Sequence, residues 1–77
     1  DNLDLKLNSK KLGQFIGEEL DERERRIIVM RYGLNGNEPM TQKDVAKLLD
    51  ISRSYVSRIE TKALKKLRKR FETSSNL

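Results

Sequence analysis

The chain contains no cysteine, no histidine and no tryptophan. Without thiols there is no disulfide, no cysteine zinc site and no thiol nucleophile, and without imidazole the commonest general acid and base is missing. Most catalytic schemes open to a small enzyme end there. Long hydrophobic runs are lacking too: the longest stretch of Ile, Val and Met is Ile27 to Met30, far short of the roughly 20 residues that cross a bilayer. No apolar signal-like region opens the chain. A soluble, cytoplasmic protein is expected. Because the sequence begins at Asp1 rather than Met, it reads as a piece of a longer protein.

What is present is charge. The 77 residues carry 17 Lys and Arg against 12 Asp and Glu, a net of +5. Hydrophobic residues make up 35% and charged residues 38%, yet the apolar positions are clustered and periodic, so one small folded domain is expected over 1–77. Its core should span about 9–71, with 72–77 a disordered polar tail. Residues 1–51 hold 9 basic and 10 acidic side chains and residues 52–77 hold 8 and 2, giving −1 and +6. A polyanion facing the C-terminal element would explain that split. The plain alternative is a solvated helix end whose cations complement the dipole.

The periodicity is helical. Leu12, Phe15, Ile16 and Leu20 form one face of a helix over about 9–19, weakened by Gly13 and Gly17. Asp21 with Glu24 is the capping box of a second helix. That helix passes Ile27, Ile28 and Met30 to Tyr32, where Gly33 and Leu34 predict a Schellman stop. Asn35 to Pro39, with the only proline, is a loop. Thr41 with Asp44 starts a third helix, stapled by Met40 and Val45. It ends near Asp50, because Ser52 is a fresh N-cap with Ile51 and Val56 as its staple. From there Val56, Ile59, Ala63, Leu67 and Phe71 step by three or four, a last helix of about 20 residues. Only Leu3, Leu5 and Leu7 alternate with period two.

The fold class expected is therefore all-α, a small three- to four-helix domain with a helix-turn-helix and a long basic C-terminal recognition helix. Ala46 lets the last helix approach, Asp50 tolerates the left-handed turn, and Ile51, Val56 and Ile59 fill the angle between the two helices. An ordinary helical hairpin would also want small and apolar residues here, but the spacing, caps and basic second helix agree on the helix-turn-helix. The exposed positions that would enter a major groove are Arg53, Ser54, Ser57, Arg58 and Thr61. Arg53 and Arg58 can donate in pairs to the O6 and N7 of guanine, which makes them the best base readers. Tyr55 could reach a phosphate with its hydroxyl or pack its ring on the preceding helix. Lys62, Lys65, Lys66, Arg68, Lys69 and Arg70 would form a general electrostatic surface.

Beyond a generic helix-turn-helix, LDERERRIIVMRYGL followed by TQKDVAKLLDISRSYVSRIETKALKKLRK resembles the fourth conserved region of bacterial RNA polymerase sigma factors. The likeness covers about 20–70, and ISRSYVSRIE looks most like the sporulation, mother-cell type. The resemblance implies a domain whose last helix binds the minus-thirty-five promoter element while earlier helices hold the flap of the polymerase β subunit. Arg53 falls on the family's recognition-helix arginine, and Ser54 and Arg58 on positions that help choose bases. Housekeeping members carry an acidic residue and a glutamine at those two positions. A different promoter hexamer is implied, since serine cannot replace a carboxylate accepting from cytosine and arginine favours guanine. An anti-sigma factor or an activator is a further partner the resemblance allows.

For the polymerase contact, Phe15, Ile28 and Tyr32 are the candidates, because so small a domain cannot bury every apolar side chain; the alternative is that all three are core. No cofactor, metal, membrane or small-molecule substrate is expected. The acidic cluster Glu18, Glu19, Asp21, Glu22 and Glu24 is better explained by a helix start interleaved with Arg23, Arg25 and Arg26 than by a metal site. Competing functions are the effector domain of a transcriptional regulator, which would dimerise through its last helix, and a protein-binding module whose apolar groove takes a partner helix.

Overall fold

The computed structural model describes residues 9–75. It contains α1 (Ser9–Glu19), α2 (Glu22–Tyr32), a short 3-10 turn (Leu34–Gly36), α3 (Gln42–Leu49) and α4 (Arg53–Ser75). Among the described residues there is no strand. The alternation at Leu3, Leu5 and Leu7 lies outside the described residues, as do 76 and 77 of the expected tail. The rest of that expectation is corrected: α4 continues to Ser75, with the Thr73 hydroxyl donating to the Lys69 carbonyl at 3.0 Å.

Each helix starts and stops on local chemistry. Asp21 accepts from the Glu24 N–H at 2.8 Å while Glu24 accepts from the Asp21 N–H at 2.9 Å, the reciprocal box expected. At α3 only the forward half is seen: the Thr41 hydroxyl accepts from the Asp44 N–H at 3.0 Å, and Asp carries one methylene fewer than the Glu that usually returns the bond. Ser52 caps α4 by accepting from the Tyr55 N–H at 3.1 Å. The Schellman stop expected at Gly33 stands elsewhere. Gly33 is left-handed and returns its N–H to the Val29 carbonyl, which is the αL motif. The Schellman pair belongs to α3, where the Ile51 N–H reaches the Ala46 carbonyl at 3.0 Å and Asp50 reaches Lys47 at 3.4 Å. Asp50, at φ 57°, is the only non-glycine residue with positive φ among the described residues.

Two apolar clusters share the molecule. One joins Leu12, Phe15 and Ile16 of α1, and Leu20 just past its end, to Ile28 of α2 and to Ala63 and Leu67 of α4. The other joins Ile27 of α2 to Val45 and Ala46 of α3 and to Val56 of α4, sealed by Met40, Leu49, Ile51 and Ile59. Adjacent Ile27 and Ile28 thus serve opposite clusters, and both are fully buried. α2 is packed on two sides. α1 forms despite its two glycines because it buries three large apolar side chains, Leu12, Phe15 and Ile16, which outweighs a propensity loss of about 1 kcal/mol for each glycine.

That packing corrects the docking candidates. Phe15 is 3% exposed and Ile28 is 0% exposed, so neither presents a surface. Tyr32 is half-buried against the first cluster, and its hydroxyl donates to Glu60. The apolar excess between Leu12 and Leu34 fills a second seam rather than a docking patch.

Candidate nucleic-acid interface

α4 is oriented by a polar hub as well as by its apolar stripe. Glu60, 5% exposed, accepts from Arg31 Nε at 2.8 Å, from the Tyr32 hydroxyl at 2.8 Å and from Gln42 Nε2 at 2.9 Å. Three elements, α2, α3 and α4, meet on one carboxylate. Burial pushes the Glu60 carboxyl up, but the hydrogen bonds from Arg31, Gln42 and Tyr32, with the Arg31 charge, outweigh it and hold the group below the usual carboxylate range. Tyr32 moves the other way, raised by burial and then by its bond to Glu60 and the negative charge there, with Arg31 opposing. Arg31 Nη1 also donates to the Met40 carbonyl at 2.8 Å, and the Met40 N–H to Met30 at 2.9 Å, tying down the loop before α3.

With Val56, Ala63 and Leu67 turned inward, the outward stripe of α4 is Ser54, Arg58, Thr61, Lys65 and Lys69, all exposed and spaced by three or four. Arg53 and Lys62 are exposed beside it, whereas Ser57 is half-buried on its flank. The first turns therefore present hydroxyls and guanidinium groups, and the later turns present lysines and Arg68. Tyr55, 38% exposed, has the guanidinium of Arg58 5.7 Å from its ring centroid. The guanidinium of Arg23, in α2, stands 5.6 Å from the same centroid. The ring thus meets α2 through Arg23. Arg23 is an addition the sequence reading missed; only its place two residues past the Asp21 cap hinted that it would project toward the start of α4.

Two cations assigned to the electrostatic surface are engaged inside the domain. Lys66 Nζ bonds to Glu24 Oε1 at 2.9 Å, on a carboxylate that is nearly buried. Arg70 pairs with Glu19 at 3.2 Å and Glu18 at 3.4 Å, and its guanidinium lies 4.3 Å from the Phe15 ring centroid. Lys66 and Arg70 hold α4 to α2 and α1. The cations of α4 left on its outer surface are Arg53, Arg58, Lys62, Lys65, Arg68 and Lys69. Four members of the acidic cluster have partners in the domain, through the Asp21 and Glu24 box and the bridges of Glu18, Glu19 and Glu24, and Glu22 stands exposed in the first turn of α2.

A three-residue turn between α3 and α4, sealed by Ala46, Ile51 and Val56, and a basic outer face on the second helix define a helix-turn-helix domain. The chain belongs to the family described as Sigma-70, region 4, whose model matches residues 18–69. It is 48% identical over 67 residues to the RNA polymerase sigma-28 factor of Bacillus thuringiensis, covering 87% of this chain and 28% of that protein. It is 50% identical over 60 residues to the RNA polymerase sigma-E factor of Clostridium acetobutylicum, covering 78% and 26%. With the RNA polymerase sigma-K factor of Bacillus subtilis it shares 48% over 67 residues, covering 87% and 22%. The chain thus spans about a quarter of the length of these relatives. No solved structure matches it.

Proposed function

We propose that this chain is the promoter-reading module of a sigma factor of the sporulation, mother-cell type, acting in the cytoplasm with RNA polymerase and having no catalytic role of its own. The first turns of α4 enter the major groove of the minus-thirty-five element. There Arg58 donates to a guanine edge, with Arg53, Ser54, Ser57 and Thr61 around it. Lys62, Lys65 and Lys69 follow along the same helix and hold phosphates, which sets affinity without selecting sequence. The observation that carries this reading is the segregation along one exposed stripe: Ser54, Arg58 and Thr61 first, then Lys65 and Lys69.

The protein partner is the polymerase core, through the flap of its β subunit, bound at a surface other than the buried Phe15 and Ile28. One short hydrogen-bonding face binds DNA weakly by itself, so the polymerase supplies the effective concentration. The test is footprinting of polymerase reconstituted with the sigma factor that carries this chain. Protection of major-groove positions at the minus-thirty-five element should be present and should vanish with Arg53→Ala and Arg58→Ala combined. Undiminished protection in that variant would reject the reading.

A further inference from the structure

Arg58 is a long side chain on an exposed face of α4, so its guanidinium needs a neighbouring side chain to fix where it points. A bidentate contact to a base needs a defined direction of approach, and a free arginine loses rotamer freedom to adopt it. The structure supplies a restraint in Tyr55, one helical turn before Arg58. The guanidinium of Arg58 is 5.7 Å from the centroid of that ring, within the range of a cation–π contact. The ring is in turn engaged by a second element, since Arg23 of α2 lies 5.6 Å from the same centroid. The Tyr55 N–H is bonded to the Ser52 hydroxyl, which fixes the backbone at the base of the side chain. Tyr55, Arg23 and Arg58 line one shallow recess together with Asp21, Glu24 and Lys62.

We propose that Tyr55 is a positioning residue for base selection, its ring setting the direction from which Arg58 approaches the groove and coupling that direction to α2 through Arg23. This rests on the reading that Arg58 contacts a base. A tyrosine hydroxyl touching a phosphate would give affinity on any sequence; a ring that orients Arg58 gives preference at the base pairs Arg58 reads and little else. The two roles are separable because one belongs to the oxygen and the other to the π face.

The experiment uses the sigma factor carrying this chain, reconstituted with polymerase core, and a promoter library randomised across the minus-thirty-five element. Binding is scored at each position by sequencing, and affinity for one scrambled duplex is followed against salt. Arg58→Ala should remove a preference of ~5–150-fold at one or two positions. Tyr55→Leu, which keeps apolar bulk without a π face, should reduce preference at the same positions by ~2–5-fold. It should leave the scrambled duplex and the salt slope unchanged, and it should add nothing in the Arg58→Ala background. Tyr55→Phe should retain the full preference. If Tyr55→Phe loses as much as Tyr55→Leu, or if Tyr55→Leu acts equally with Arg58 absent, the positioning role is overturned while base reading by Arg58 stands. If Arg58→Ala itself leaves every preference in place, both the underlying reading and the role of Tyr55 fall together.

Discussion

Arg31 Nε in α2 and Glu60 Oε1 in α4 are 2.8 Å apart, on a Glu60 side chain only 7% exposed. This bridge, with Gln42 and Tyr32 on the same carboxylate, joins the recognition helix to the elements before it. Removing the acceptor strands Arg31, whose side chain is 25% exposed and can rehydrate, and leaves Tyr32 and Gln42 unpaired, a loss of about 1–3 kcal/mol. Glu60→Ala should lose stability of that order in chemical denaturation, with a wild-type-like value counting against the hub.

The same hub fixes a pH dependence at both ends. The folded Glu60 value lies below the unfolded one, so its contribution is present above the ordinary carboxylate range and is lost as pH falls through the depressed folded value. Tyr32 has a raised folded value, so its contribution is complete below the ordinary tyrosine value and is lost as pH rises through the raised one. Denaturation midpoints across pH should fall at both extremes. In Glu60→Gln the acid-side loss should flatten; an unchanged acid limb would assign it to other carboxylates.

The α3 to α4 turn depends on a small side chain at Ala46 and on a left-handed backbone at Asp50. Ala46 is buried beside Val56, so Ala46→Leu should cost ~1–3 kcal/mol by overpacking. Asp50 stands at φ 57° and ψ 48°, a conformation costing most residues roughly 1–2 kcal/mol. Asp50→Val should lose about that amount, while Asp50→Gly should lose nothing. A stable Ala46→Leu protein would contradict the helix crossing.

Gly33 is required for two reasons. Its φ is +62°, and a Cβ there would lie 2.5 Å from the Asn37 carbonyl oxygen and 2.8 Å from the Pro39 nitrogen, both backbone atoms. Gly33→Ala should therefore cost more than the ~1–2 kcal/mol of the left-handed conformation alone and should displace the loop that leads to Met40. Calorimetry of the variant checks this, and a loss below that figure would mean that the loop moves aside without penalty.

The helix ends were legible because they are local: Asp21, Thr41 and Ser52 each bond to an N–H three residues on. The turn at Asp50 was legible for the same reason. What could not be read is what depends on partners far along the chain. Glu24 meets Lys66 and Glu60 meets Arg31 across separations of 42 and 29 residues, so neither carboxylate announced its burial, nor did Lys66 its removal from the DNA-facing set. Ile28 is buried because α2 is covered on two sides, whereas helix periodicity describes one buried stripe, and Phe15 is buried by Phe71 and Arg70 from the far end of α4. The candidate DNA face was legible in outline, since exposure on α4 follows from its apolar stripe, but Tyr55 and Arg23 come together only through the packing of α2 on α4.

Lys65 and Lys66 are adjacent in sequence and opposite in role. Lys65 is exposed on the outward stripe, and Lys66 is bonded to Glu24. Lys65→Ala should weaken binding to all duplexes and lower the salt slope by ~0.9, the amount for one phosphate contact. Lys66→Ala should leave the slope unchanged and lower stability instead. Equal effects of the two on the slope would contradict the assignment of Lys66 to the fold.

The division of α4 into a reading end and a holding end is tested most directly by one titration. Reconstituted polymerase is bound to the cognate promoter and to a scrambled duplex at several salt concentrations, with Arg58→Ala compared against Lys65→Ala and Lys69→Ala. Arg58→Ala should cost ~1–3 kcal/mol on the cognate promoter alone, while each lysine variant weakens both duplexes alike and lowers the salt slope. The account is contradicted if Arg58→Ala weakens both duplexes equally and the lysine variants change base preference.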